Sequence, residues 1–198
     1  VIDSRQYLSD SGSPIDNTQV DALDIVQAHV RWDAGPLFTG GKHRFQLGRE
    51  TLDLGNRRLV ARNAYRNTIN AFTGADWLWT SDSGGSIRSF AFLPVRRLPE
   101  DVPSLLDHRI SADTQSFGQQ FYGVYATSPR LAVDARVEAY WLGLFEDADP
   151  SRRHRRLHTS GSRLFRNAQP GHWDFEVEAS LQRGSSRSGT GISPDLDH

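Results

Sequence analysis

Arginine supplies almost all of the positive charge in this chain, and one run of arginines is the first candidate site. Of the 23 basic residues only Lys42 is a lysine. A guanidinium binds a carboxylate through two parallel hydrogen bonds, so arginines suit a surface that handles acidic ligands. A GC-rich genome would explain the bias equally well. The densest run holds Arg49, Arg57, Arg58, Arg62 and Arg66, with Glu50 and Asp53 among them. A solvated loop whose arginines pair with local acids would contain the same residues.

A second set of charged residues lies inside segments that read as strands. Arg88, Arg136 and Arg163 are single arginines opposite small or apolar residues. Glu138, Glu176 and Glu178 are their candidate counter-charges. In a pore wall, such a ladder would let an anion exchange one arginine for the next. Cross-strand salt bridges that only hold the wall are the alternative, and the sequence favours neither.

The spacing of the residues does not support a metal site, a phosphate-binding loop or a catalytic site. His154 and His158 have a four-residue separation, but the flanking arginines would repel a cation. The glycine-rich stretches lack the Gly-Lys-Ser/Thr ending of a phosphate loop. Acids are plentiful, yet nothing selects two of them as a general acid and base. We therefore expect no catalytic residues, no metal and no cofactor.

The elements that must carry these residues are strands. In "HWDFEVEASLQ" (172–182) apolar and polar residues alternate, which is the period of an extended chain. The long connection 97–118 contains "EDVPSLLDHR", a candidate helical turn. We expect an all-β, antiparallel fold, with irregular segments at 1–20 and 185–198 around a β portion at 21–184. The predicted strands are 24–32, 43–50, 71–80, 86–96, 119–127, 132–145, 157–165 and 172–182.

The alternation leaves open which face of these strands is buried. A soluble sandwich would bury the apolar face, whereas an outer-membrane barrel turns it to lipid and the acids to a wet lumen. A mean hydropathy of −0.56 and the absence of a long apolar run exclude a membrane protein built of helices. A net charge of −1 argues against nucleic acid as a partner.

Two blocks of sequence favour the barrel. The first is "LGRETLDLGNRRLVARNAYRNTINAFTGADW" (47–77), and the second is "RRLHTSGSRLFRNAQPGHWDFEVEASLQRG" (155–184). Both resemble the alginate export family of Gram-negative outer-membrane β-barrels. The first resembles that family's Gly-Arg-Glu…Arg-Leu-Val segment, and the second its His-Thr-x-Gly-x-Arg-Leu strand followed by Trp-Asp-Phe-x-Val-Glu-Ala. The order and spacing of these motifs carry the resemblance over about 20–184.

The resemblance implies an up-and-down transmembrane barrel, or an open portion of one, with about eight strands. It implies a passive, anion-selective conduit for an alginate-like polysaccharide or a related anionic solute, located in the bacterial outer membrane. Outer-membrane lipid and periplasmic export components are the further partners it suggests. Two rivals remain: a soluble all-β carbohydrate-binding or lyase-like domain, and a non-selective porin. The expected substrate contacts are Arg49, Arg58, Arg62, Arg66, Arg88, Arg136, Arg163, Glu138, Glu176 and Glu178.

Two further expectations concern completeness and orientation. The chain lacks a signal peptide and an aromatic last residue, which predicts an internal portion of a longer barrel. We expect the polar residues Arg136, Glu138, Glu176 and Glu178 to face the interior, and the expected arginines to converge there. We expect one continuous outer band of Val133, Ala135, Val137, Ala139, Trp141, Phe175, Val177, Ala179 and Leu181.

Overall fold

Strands dominate the computed structural model of the chain, which describes residues 1–5, 15–37, 40–63, 66–148, 153–187 and the backbone of 195–197. One short helix, α1 (Val102–Leu106), lies where the sequence predicts a helical turn. None of the helices in the described residues is both long and apolar enough to cross a membrane. The strands are β1 (Ile2–Ser4), β2 (Asp21–Asp24), β3 (Ala28–Ala34), β4 (Lys42–Glu50), β5 (Phe72–Thr80), β6 (Ser86–Pro94), β7 (Gln119–Thr127), β8 (Arg136–Glu146), β9 (Arg156–Arg166), β10 (Phe175–Arg187) and β11 (Asp195–Asp197).

The chain is all-β, and its long strands form one antiparallel sheet in the order β11-β10-β9-β8-β7-β6-β5-β4-β3. Sequential neighbours pair throughout β3–β10, which is an up-and-down arrangement. The sheet is open, with β3 and β11 at its edges. The closed form of the expected barrel is therefore not present, and the open form describes the sheet.

Each predicted strand overlaps one of β3–β10, and the bounds differ most in three places. The segment predicted as one strand at 24–32 is divided, since β2 ends at Asp24 and β3 begins at Ala28. The strand predicted at 172–182 begins only at Phe175. The 132–145 segment becomes a strand only at Arg136, because Val133 and Asp134 have positive φ angles of 58° and 59°. Val133 and Ala135 therefore lie outside β8, and Ala135 is buried rather than part of an outer band. Short strands also occur in the two ends expected to be irregular, where β1 pairs with β2 and β11 with β10.

The chain divides into two compact units. Unit 1 comprises Val1–Val30, Leu47–Gly74 and Leu93–Ser116, and unit 2 comprises Arg31–Gln46, Ala75–Phe92 and Phe117–His198. In unit 1, Ile15, Val20 and Leu105 form a buried apolar cluster. The helix that carries Leu105 is capped at its N-terminus by Asp101, whose carboxylate accepts a hydrogen bond from the Ser104 N–H at 3.0 Å.

Unit 2 is fixed in register by cross-strand pairs of a large and a small residue. Tyr140 of β8 pairs with Gly161 of β9, and a Cβ at position 161 would lie 2.4 Å from the Tyr140 ring. The ring therefore lies over the glycine, in space that a side chain at position 161 would need. This packing orients the Tyr140 hydroxyl, which donates to Glu178 Oε1 of β10 at 2.9 Å.

Candidate functional site

The buried face of the unit 2 sheet carries polar and charged residues beside apolar ones such as Phe90, Phe92 and Leu142. On β8 and β9 the pairs Glu138–Arg163, Tyr140–Gly161 and Leu142–Thr159 share one face, and the residues of these pairs are buried or half-buried. Asp76 and Glu146 are also buried. A buried charge is costly unless it is paired, so each of these groups needs a partner.

The opposite face of the same strands is apolar and exposed. Trp141 and Leu164 lie on this face of β8 and β9, as the register shows. Exposed neighbours on β7 and β10 include Val124, Phe175, Val177 and Leu181. The Trp141 ring stacks on His158 with centroids 5.5 Å apart. A water-facing sheet would show the reverse arrangement, with its polar side chains outside.

Arg163 is the centre of the polar face. Its Nη1 donates to Glu138 Oε2 at 2.8 Å and its Nη2 to Glu176 Oε2 at 3.1 Å. The Tyr125 hydroxyl donates to the same Glu138 oxygen at 2.7 Å. The guanidinium carbon also lies 3.9 Å from the centroid of the Phe165 ring. The structure thus brings Arg163, Glu138 and Glu176 together, with Glu178 directly opposite Arg163 in the register.

The other two strand arginines differ in their surroundings. Arg88 donates from Nε to Asp76 Oδ1 at 2.7 Å, so its charge is compensated by a buried carboxylate. Arg136 begins β8 on the same face as Glu138. Within the described part of the chain, no carboxylate lies within 4.0 Å of Arg136.

Carboxylates outnumber arginines on this face between β5 and β10. The register and the ion pairs place four arginines there: Arg88, Arg136 and Arg163 of the strands, and Arg155 just before β9. Arg155 donates from Nε and Nη2 to the Glu146 carboxylate, both at 2.7 Å. The five carboxylates on the face are Asp76, Glu138, Glu146, Glu176 and Glu178. The expected ladder of arginines is therefore largely a network of cross-strand ion pairs.

The arginines of the first run lie in unit 1, and their partners differ. Arg49 donates to Asp113 Oδ2 at 2.8 Å, and Arg62 Nε lies 3.2 Å from Asp53 Oδ2. The Arg58 N–H donates to Asn56 Oδ1 at 3.2 Å. Hydrogen bonds from Thr18 lower the pKa of Asp16, and the charge of Arg66 contributes to the same shift. Arg62 therefore pairs with a local acid, whereas Arg49 pairs with an acid 64 positions away and the Arg58 bond is made by its backbone N–H.

Gly48 separates Arg49 from the apolar side of β4. Its φ of 134° is a conformation that side chains rarely adopt, and a Cβ there would lie 2.4 Å from the Ala28 carbonyl oxygen. Leu47 is 66% exposed, whereas the Arg49 side chain is 16% exposed. The shared parity of these two residues in the sequence therefore does not give them the same environment.

A cationic cleft in unit 2 was not predicted from the sequence. It has a volume of about 490 Å³, and its charged lining residues are Arg31, Asp33, Lys42 and Arg44. Asp33 accepts from Arg31 Nε at 2.6 Å and from Arg44 Nε at 3.0 Å. The signal was present, since Arg31 and Arg44 share the polar parity of their strands and Lys42 is the one lysine. What the sequence lacks is the β3–β4 register that joins them.

Among the residues the structure describes, no cluster of His, Asp or Glu has the arrangement of a metal site. The polar groups of unit 2 instead form hydrogen bonds with one another, through Arg163, Arg88 and the Tyr125–Glu138 pair. Such a face can present ordered hydrogen-bonding groups to a polar solute.

The model of the alginate export family matches the chain over residues 1–192. The chain belongs to the alginate export family. No curated protein and no solved structure matches it at a significant level. Membership of the alginate export family indicates polysaccharide export, which is transport rather than catalysis, and suggests an outer-membrane location. The all-β antiparallel sheet agrees with the β-barrel architecture of that family.

Proposed function

We propose that residues 21–184 form part of an outer-membrane β-barrel that conducts an anionic, alginate-like polysaccharide or a related anionic solute. The observation that carries the proposal is the inverted polarity of the unit 2 sheet. Its buried face holds Glu138, Tyr140 and Arg163, while Trp141 and Leu164 are exposed on the other. A strand wall between lipid and a wet lumen needs this arrangement. Outer-membrane lipid and periplasmic export components complete the proposed set of partners.

The cleft at the β3–β4 hairpin supplies the proposed contact for an acidic sugar. Asp33 engages both guanidiniums through Nε, which leaves their Nη groups as donors held in a fixed direction. With Lys42, the charged lining residues carry three positive charges against one negative charge. A volume of about 490 Å³ is within the range of small-molecule sites. These features suit a carboxylate that must bind and then leave.

The second part of the proposed mechanism concerns the strand arginines, most of which are paired with carboxylates. Arg88 and Arg163 are paired with carboxylates, so they attract a passing anion weakly. Arg136 has no such partner among the described residues, and it remains the proposed anion contact of β8. Arg49, Arg58, Arg62 and Arg66 are proposed as further contacts from unit 1. A conduit requires that the solute bind only weakly along the wall, so that it can leave each contact.

The proposal is tested by ion selectivity of the protein reconstituted in planar bilayers. Lys42→Gln and Arg136→Gln should each lower the anion-to-cation permeability ratio, because each removes a positive charge without a carboxylate within 4.0 Å in the described chain. The loss should be largest at low salt, since the Debye length shrinks to about 8 Å at physiological ionic strength.

Arg153→Gln is the matched control, because it removes the same charge from an exposed residue before β9. This variant should leave the permeability ratio unchanged. Equal losses in all three variants would mean that diffuse charge sets the preference. No loss in any of them would leave Lys42 and Arg136 without a role in selectivity.

A non-selective porin is the second candidate, and the near balance of five carboxylates and four arginines on the β5–β10 face favours it. This candidate predicts a permeability ratio near one for the unmodified protein. It also predicts that neutral and acidic oligosaccharides of equal length block the pore equally. Stronger block by the acidic oligosaccharide would reject the non-selective porin.

A further inference from the structure

Three buried aspartates form a cluster in unit 1, and the proposed transport does not use them. Asp21 and Asp24 belong to β2 and are 3% and 1% exposed. The Asp113 side chain, from the segment before β7, is 4% exposed. We call Asp21, Asp24 and Asp113 the aspartate cluster. Ionised carboxylates are costly at such burial unless each has a counter-charge.

The counter-charges of the cluster are too few. Arg49 Nη1 lies 2.8 Å from Asp113 Oδ2 and 3.9 Å from Asp24 Oδ1. Arg97 is the other nearby cation, but it donates to the carbonyl oxygens of Asn17 and Ile69, both at 3.1 Å. Three carboxyl groups therefore share two arginines, and Arg97 makes its hydrogen bonds elsewhere.

A second observation concerns the hydrogen bonds of the cluster. Within the described part of the chain, neither Asp24 oxygen accepts a hydrogen bond, and nor does Asp21 Oδ2. No group of residues described there has the arrangement of a metal site. A bound proton satisfies two adjacent carboxyl groups, because the protonated group loses its charge and donates a hydrogen bond to the other. The neighbour of Asp24 is Asp113.

Electrostatic effects also favour the protonated forms of Asp21 and Asp24. Burial, followed by the charges of Asp24 and Asp113, raises the pKa of Asp21 to about 6. Burial and the charge of Asp113 also raise the pKa of Asp24, against the opposing charges of Arg49 and Arg97. Other charged or titratable groups on these segments are Asp3 and Arg5, which pair with each other at 2.8 Å, and the buried Glu50. The segment that carries Asp113 also contains Asp107, His108 and Arg109.

We propose that unit 1 contains a proton-operated latch, in which protons held by Asp21 and Asp24 keep β2 against the segment that carries Asp113. Loss of those protons leaves like charges facing each other across the contact, and β2 loosens. Because β1 pairs with β2 at Ile2–Asp24 and Ser4–Asp21, the two strands should loosen together. The latch is a property of unit 1 and does not depend on which solute the protein conducts.

The sign of the pH dependence follows from linkage. A carboxyl whose pKa is higher in the closed state stabilises that state most at low pH, and the stabilisation is lost as pH rises through about 6. The opening equilibrium of β2 should therefore increase about tenfold between pH 5 and pH 8 for a shift of this size at one group.

Hydrogen exchange of the full chain, folded in detergent, tests the latch. Protection of the β1 and β2 amides, corrected for the intrinsic exchange rate at each pH, should fall about tenfold from pH 5 to pH 8. Asp21→Asn should remove most of this dependence, because the amide is neutral and nearly isosteric. Asp3→Asn, which alters an exposed pair, should retain it.

Three outcomes would overturn the latch. Protection of the unmodified chain could be independent of pH, or Asp21→Asn could retain the full slope. Millimolar Ca²⁺ at pH 8 could restore protection, which would make the cluster a cation site. If Asp21→Asn does not fold, Asp24→Asn provides the same comparison. Solute permeability does not enter these readouts, so they are independent of the proposed transport.

Discussion

Arg163 shows how a single side chain can hold the polar wall together. It is buried, and it bonds to Glu138 on one neighbouring strand and Glu176 on the other. Removing one partner from such an arrangement leaves the other charge buried and unpaired, which costs more than the pair itself contributes. The residue therefore connects β8, β9 and β10 through their side chains as well as their backbones.

Arg163→Gln should lower the free energy of unfolding by about 3 kcal/mol, because Glu138 then remains buried without a cation. Glu138→Gln should cost a similar amount. The double variant should lose less than the sum of the two, since no charge of that pair remains. Urea unfolding in detergent measures all three, with Arg153→Gln as a control of unchanged stability. Strictly additive losses would show that the two residues are not coupled.

Sequence reasoning identified Arg88 and Arg163 as strand residues but left two roles open for them. Whether such an arginine contacts an anion or forms a cross-strand ion pair depends on the side chains beside it. Strand register determines which side chains those are. Asp76 lies twelve positions before Arg88 in another strand, and nothing in the local pattern marks it as the counter-charge. The aspartate cluster was missed for the same reason, because Asp113 is remote in sequence from β2.

At the scale of elements, register is enforced by size as well as by charge. The Tyr140 ring covers Gly161, and its hydroxyl reaches Glu178 on the next strand. A small residue at position 161 of β9 is therefore needed for the contact with Tyr140 of β8 and for the hydrogen bond from Tyr140 to β10. Backbone hydrogen bonds alone would accept any residue there.

Gly161→Val should destabilise the sheet by about 2 kcal/mol, because a side chain there must displace the Tyr140 ring. The displaced hydroxyl should also lose its hydrogen bond to Glu178. Gly35→Ala is the control, since a Cβ at position 35 meets no atom within 4 Å. Thermal unfolding followed by circular dichroism measures both variants. An unchanged midpoint for Gly161→Val would mean that the ring moves at no cost.

The eight long strands were predictable because most of them alternate over enough residues to identify their period, while the segment at 86–96 is apolar on both faces around Arg88. The period cannot show where a strand starts when the backbone changes conformation, as at Val133 and Asp134. It also misses strands as short as β1 and β11, which three residues define. The register between β3 and β4, which brings the residues of the cationic cleft together, had no local sequence signal.

At the scale of the whole molecule, the sequence left two assignments of the buried face. Burial of Glu138, Arg163 and Asp76 beside exposure of Val177 and Leu181 favours the inverted assignment. All five tryptophans lie in or near strands of the sheet, and three of them are exposed, namely Trp32, Trp141 and Trp173. They provide intrinsic probes of the environment outside the sheet.

Brominated lipids should quench the fluorescence of the reconstituted chain strongly, because Trp32, Trp141 and Trp173 would meet the acyl or interfacial region. Trp141→Phe should reduce the quenched fraction, whereas Trp77→Phe should change it less, since Trp77 is half-buried and bonds to His43. Weak quenching, in a chain that stays monomeric without detergent, would support the soluble carbohydrate-binding alternative.

The short edge strand β11 covers only part of β10, which has a consequence for handling the isolated chain. β10 is thirteen residues long, and on the side away from β9 its described pairing is with β11 over Ser185–Arg187. The remaining backbone amides and carbonyls along that side form a template that a second molecule can extend. Refolding yield should therefore fall as protein concentration rises, with fibrous or ladder-like aggregates as the competing product. Dilution, or a peptide copying an adjoining strand, should suppress that growth.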